Sequence, residues 1–256
     1  MATVMGKPPP KAMDMEVGDA ADYKGPVCGV MPAYVRSDFV RKVYFTLGMQ
    51  LTLTFLIALP FKTVLTPEWI AGHAYIAQLC SMGAMVIALG MVCCCRDAAR
   101  TYPINYLILF SLTVCMAVGV GFVTAHYKTY SVLLALCSTA VVFLGLTAYA
   151  VKTESDFTGM GAYLAAALFS LIGFSFVMMI FSFFFGIPDF MQTLYALAGT
   201  VIFSGYIVYD TQLILGGKHL ELGVDDYVFA ALNLYLDIIN LFLLLLELMG
   251  ERNEQS

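Results

Sequence analysis

Two carboxylates stand where a carboxylate is expensive. Asp210 lies in the apolar run Met191–Leu215, and Asp237 sits near the middle of Tyr227–Met249. An Asp at the centre of a membrane helix costs about +2.5 to +3.5 kcal/mol on insertion scales. Such residues face a bundle interior and mark functional sites by default. Asn233, Asp237, Asn240 and Glu247 follow one another at intervals of 4, 3 and 7 residues, which is one face of a helix. Tyr206 lies one turn before Asp210, and Tyr209 is its neighbour in sequence; both hydroxyls can donate to a carboxylate. Two carboxyls brought close share a proton, so the pair can sense pH and bind a cation. The competing reading is two separately satisfied Asp residues that hold helices together.

Other chemistry is thinner. Arg96 closes the second apolar run, on the same membrane side as Asp210. It either pairs with the carboxylates and locks a pore, or anchors the helix end. Neither HExxH nor GxSxG occurs, so zinc-protease and serine-hydrolase chemistry lack their groups. Tyr209-Asp210 resembles half of an intramembrane aspartyl protease motif, but the Gly-x-Gly-Asp half is missing at Tyr235-Leu236-Asp237. No enzyme activity, catalytic residue or cofactor is expected. His73, His126 and His219 stand apart from Cys and acidic partners, so the only metal expected is Ca²⁺ passing transiently over Asp210 and Asp237.

The elements that position these residues follow from composition. Of 256 residues, 61% are hydrophobic and 12% charged, with a mean hydropathy of +0.84. A soluble domain is about 25% charged, so a water-soluble globular protein is excluded. The net charge of −5 gives no basic face for nucleic acid. The seven cysteines sit mostly within or beside apolar runs and form no disulfide framework.

Seven apolar runs of 19 to 26 residues follow: Val43–Phe61, Ala74–Cys95, Ile104–His126, Tyr130–Val151, Met160–Phe185, Met191–Leu215 and Tyr227–Met249. A helix needs roughly 20 apolar residues to cross a bilayer, and only a helix satisfies its own backbone there without barrel patterning. The expected organisation is a flexible polar tail over 1–42, ordering near Ser37-Asp38, a seven-helix membrane domain over 43–249, and a short polar tail over 250–256. The sixth and seventh runs, joined by a short link, are predicted adjacent and antiparallel. Ten Lys and Arg fall on the N-terminal side and three (Lys62, Lys128, Arg252) on the other. That excess predicts a cytosolic N-terminus. The last run either spans or, with Asp237 at its centre, re-enters.

The residues around the two aspartates resemble the Bax inhibitor-1/Lifeguard (TMBIM) family, and within it the Lifeguard branch. Tyr227 to Phe242 (YVFAALNLYLDIINLF) is similar to that branch's last-helix signature. Tyr209-Asp210-Thr211-Gln212-Leu213 with Gly216-Gly217-Lys218 resembles its sixth-helix motif and loop. Phe39-Val40-Arg41-Lys42-Val43-Tyr44 and Asp156-Phe157-Thr158 resemble its first-helix entry and its fourth-to-fifth link. The resemblance covers roughly residues 37–249. It implies an all-α seven-helix bundle with a central last helix, a pH-sensitive Ca²⁺ leak across Golgi or endoplasmic reticulum membranes, and suppression of apoptosis. It maps a paired-aspartate sensor onto Asp210 and Asp237, and an arginine latch onto Arg96, with Arg100 as rival. The expected partners are the lipid bilayer, Ca²⁺ and membrane-embedded cell-death regulators. A non-conducting protein that binds those regulators, or a proton-coupled cation transporter, is the alternative. The end Glu251-Arg252-Asn253-Glu254-Gln255-Ser256 departs from the lysine-rich end of some members.

Overall fold

Each apolar run becomes a helix because lipid leaves the backbone no other partner. The computed structural model describes residues 33–93, 101–220 and 222–253. In chain order the helices are α1 (Ala33–Thr63), α2 (Pro67–Gly72), α3 (Ala74–Cys93), α4 (Ile104–Ala125), α5 (Thr129–Lys152), α6 (Gly161–Phe185), α7 (Asp189–Leu215) and α8 (Tyr227–Met249). Six of them are long and apolar enough to cross a membrane. The 20 residues of α3 reach about 30 Å, the thickness of a hydrocarbon core. The chain is an all-helical, polytopic membrane protein.

Two elements differ from the sequence expectation. First, α1 begins at Ala33 rather than near Ser37. Val35, Phe39, Val43 and Leu47 are all buried, and their spacing of four puts them on one inward face. The charged residues between them hide that face from a reading by apolar runs. Second, the short α2 precedes the second membrane helix. Thr66 caps it by accepting from the Trp69 amide at 3.3 Å, and Pro67 stands at its first position.

The core sits on α8. In its most apolar window 72% of residues are buried, against 11% for α6, so α8 is the axis and α6 an outer, lipid-facing stave. It packs against α1, α4, α5 and α7. Its buried residues include Leu232, Leu234, Tyr235, Leu241 and Leu246. The last segment is one unbroken helix of 23 residues. Beyond it the chain turns back onto the α4–α5 connection. The Lys128 amide donates to the Glu251 carbonyl at 2.9 Å, the Asn253 amide donates to the His126 carbonyl at 2.9 Å, and Tyr127 and Arg252 form an isolated bridge.

Two facing helices share a tight seam. A Cβ at Gly199 of α7 would lie 2.8 and 3.0 Å from the two methyls of Leu244 in α8. Glycine there lets the backbones approach, as small residues do between membrane helices.

Candidate aspartate-pair site

The antiparallel hairpin of α7 and α8 brings the two carboxylates together. Asp210 and Asp237 are each 6% exposed, and their side chains are hydrogen-bonded to one another. Depth explains the meeting. Asp210 lies five residues before the end of α7, Asp237 ten residues into α8, and the first turn of α8 sits beyond the level of Asp210. Asp237 Oδ2 is buried and has no hydrogen-bond partner among the described residues. A carboxyl–carboxyl hydrogen bond exists only while one oxygen carries a proton. Burial of both groups disfavours two full charges side by side.

The predicted supporting residues divide. Tyr206 lies within electrostatic reach of both carboxylates, and Tyr209 of Asp210. The two rings meet edge to face at 6.4 Å and 87°. The Tyr209 hydroxyl occupies the space a Cβ would need at Gly161, where α6 begins. Asn240, by contrast, turns back on its own helix and donates to the Leu236 carbonyl at 2.8 Å. Asn233 is half-buried one turn before Asp237. Glu247 lies at the far end of α8, beside Tyr195 and Arg252. Arg96 and its rival Arg100 lie outside the described residues.

Arg36 escaped the sequence reading. It is buried, and it fastens the α7–α8 loop. Its Nε donates to the Leu215 carbonyl at 3.0 Å, Nη1 to Leu222 at 2.7 Å and Nη2 to Leu213 at 3.1 Å. A cation is favourable at a helix C-terminus, where carbonyls are left without helical partners. Gly216 completes the fit. Its φ of +69° suits glycine, and a Cβ there would collide with the guanidinium. The sequence held a signal: Gly216-Gly217 ends α7, and a double glycine after a helix leaves its carbonyls open to a donor.

The α5–α6 connection braces the same loop. Asp156 accepts from the Thr158 hydroxyl at 2.6 Å, the Thr158 amide at 2.9 Å and the His219 amide at 3.0 Å. These donors hold its carboxyl below the usual carboxylate range. Gln212, two residues beyond Asp210, accepts from the Phe157 amide at 2.8 Å and donates to the Ser155 carbonyl at 2.9 Å. Lys218 Nζ donates to the Glu154 carbonyl at 2.8 Å.

A second buried polar layer crosses α1, α4 and α8. Gln50 Nε2 donates to Thr113 Oγ1 at 3.0 Å, and Thr113 passes its own proton to the Leu109 carbonyl at 2.7 Å. Thr54 donates to the Gln50 carbonyl at 2.8 Å, so the Tyr235 hydroxyl, 2.8 Å away, is the donor to Thr54. This layer holds α8 on the face opposite Asp237. Gln50, an amide inside an apolar run, was its legible sign.

Along most of its length the chain is similar to known proteins. The family model described as "Inhibitor of apoptosis-promoting Bax1" matches residues 36–254. Protein lifeguard 3 of Homo sapiens is 30% identical over 259 residues, covering 96% of this chain and 82% of that protein. Protein lifeguard 4 of Mus musculus is 34% identical over 227 residues, covering 87% and 88%.

Proposed function

Because the chain belongs to the Bax inhibitor-1/Lifeguard family, we propose that it is an anti-apoptotic membrane protein that acts as a pH-sensitive Ca²⁺ leak. The observation that carries this reading is the hydrogen-bonded pair Asp210–Asp237, buried between α7 and the central helix α8. While the pair shares its proton, the bond ties the two helices. Loss of that proton puts two like charges side by side in a low dielectric and drives the helices apart. The carboxylate oxygens so released are hard ligands of the kind Ca²⁺ takes. Two carboxylates are far fewer than a tight cage, which suits passage rather than storage. Tyr206 lies within electrostatic reach of both carboxylates. In this reading the N-terminus is cytosolic, the membrane is that of the Golgi or endoplasmic reticulum, and the leak lowers stored Ca²⁺ and so blunts death signalling.

The test is Ca²⁺ flux through purified protein in liposomes across pH. The wild type is expected to pass Ca²⁺ without a counter-substrate and with a pH-dependent rate. Asp210→Asn and Asp237→Asn keep a hydrogen bond but remove the shared proton, so each is expected to flatten the profile. Variants that titrate like the wild type overturn the role of the pair. No flux at any pH favours a non-conducting interaction protein, and flux that needs a proton gradient favours a transporter.

A further inference from the structure

Helices α1 and α5 each pack on α8 yet barely touch one another. A cleft of about 320 Å³ opens between them, walled also by α4 and floored by Ile238, Ile239 and Phe242 of α8. Most of its wall is apolar. Two threonines inside it have no proton to offer: Thr54 donates to the Gln50 carbonyl at 2.8 Å and Thr139 to the Ala135 carbonyl at 2.7 Å. Charge gathers at one mouth only, at the end of the bundle opposite Arg36. Lys62 stands there in the last turn of α1, and Thr129 begins α5 beside it. Lys62 Nζ donates to the Tyr127 carbonyl and makes no ion pair among the described residues. An ammonium has three protons to donate, so two remain for a ligand.

We propose that this cleft holds one acyl chain of a phospholipid, with the lipid phosphate at Lys62. Lys62 and Leu51 mark its two ends on α1 and stand about 16 Å apart along the helix. That is the depth of one leaflet, half of a hydrocarbon core of about 30 Å. A chain entering at the mouth therefore ends near mid-membrane, at the level of Ile238, itself halfway along α8. The first turn of α5 adds to the mouth, because its amides lack helical partners and the positive end of its dipole favours an anion. Lipid elsewhere meets outer staves such as α6. In this cleft the chain lies against the central helix itself, so it is held within the outline of the bundle. The binding does not depend on the leak reading.

The test is native mass spectrometry of the full-length protein released from detergent. It is titrated with dioleoylphosphatidylglycerol and, in parallel, with dioleoylglycerol, which has the same chains and no phosphate. The wild type is expected to retain one phosphatidylglycerol at concentrations where dioleoylglycerol adds no mass. Lys62→Gln is expected to weaken half-saturation by about tenfold, as loss of a charge-assisted hydrogen bond does. Lys62→Arg keeps the charge and is expected to bind like the wild type. Ala140→Phe fills the cleft, leaves Lys62 in place and is expected to lose the lipid too. Phe169→Ala, on the exposed face of α6, is expected to change nothing. Equal half-saturation in Lys62→Gln and the wild type overturns the phosphate contact, as does dioleoylglycerol bound as tightly as phosphatidylglycerol. Lipid retained in Ala140→Phe overturns the cleft as its place. A dimer in place of the lipid adduct, lost in Ala140→Phe, assigns the cleft to a second copy and overturns the proposal. Lipid retained by a wild type that passes no Ca²⁺ keeps the site and removes the leak.

Discussion

Arg36→Met replaces the guanidinium that fastens the α7–α8 loop with an apolar side chain of similar length. The three carbonyls it serves do not lose equally. Leu213 keeps a second donor, the Leu222 amide at 3.2 Å, while Leu215 and Leu222 lose the guanidinium. An acceptor left without its partner costs about 1–3 kcal/mol. The loop is half-buried, so the lower half of that range applies, and two carbonyls give roughly 2–4 kcal/mol. Relief of the guanidinium's own desolvation trims this to about 2–3 kcal/mol. For a chain of this size each kcal/mol shifts Tm by about 2–4 °C, so a loss of roughly 5–10 °C is expected. Arg36→Lys falls between, because a point charge cannot span the three carbonyls that the planar fork reaches. Gly216→Ala drives a Cβ into the same guanidinium. Combined with Arg36→Met, its cost should shrink to the strain of the positive φ, so the double variant is less than additive. The assay is the loss of monodisperse protein on heating in detergent, read by size exclusion. An Arg36→Met shift of less than about 2 °C, or full additivity with Gly216→Ala, refutes the clamp.

Gly199→Ala forces the Leu244 methyls aside and overpacks the α7–α8 seam at a cost of about 1–3 kcal/mol. A lowered Tm together with an altered pH profile of flux is expected, and an unchanged melt counts against the close approach. Asp156 has a folded-state pKa below its unfolded value, so its contribution to stability is present above the unfolded pKa, about 3.9, and fades as pH falls through the depressed value. The brace between the α5–α6 connection and the α7–α8 loop is therefore intact at neutral pH and loosens only in strong acid. Hydrogen exchange at the His219 amide should rise there in the wild type and be pH-independent, beyond the intrinsic rate, in Asp156→Asn. Equal acid sensitivity in both proteins excludes Asp156 as the cause.

The membrane helices were legible because lipid makes their requirement simple: a length of apolar residues and little else. Asp210 and Asp237 were legible for the same reason, since a charge inside such a length stands out against its neighbours. What sequence could not supply is partnership. Glu247 shares a helical face with Asp237 yet lies some three turns away, in another cavity with other neighbours. Asn240 shares that face too and spends its amide on its own helix. Period places a residue on a side of a helix, while depth and the opposite helix decide what it meets. Arg36 was missed because a cation next to an apolar run reads as an anchor at the membrane edge. Its targets are the end of α7 and the loop beyond it, 177 to 186 residues away in sequence, and no local pattern announces them.

In the proposed leak, these placements together limit how the aspartate pair opens. Asp210 is followed within three residues by Leu213, whose carbonyl Arg36 holds, and within two by Gln212, which the α5–α6 connection holds. This end of α7 is thus pinned by side chains from two other parts of the chain. The opposite end runs past Gly199, where the contact is apolar and adaptable methyls do the filling. α8 is held in turn on its other face by Tyr235, through Thr54 to α1. With α8 fixed behind and α7 fixed at its loop end, repulsion between the carboxylates cannot lift the whole hairpin. The motion that the proposed reading leaves is a pivot of α7 about its clamped end, widening the seam toward Leu244.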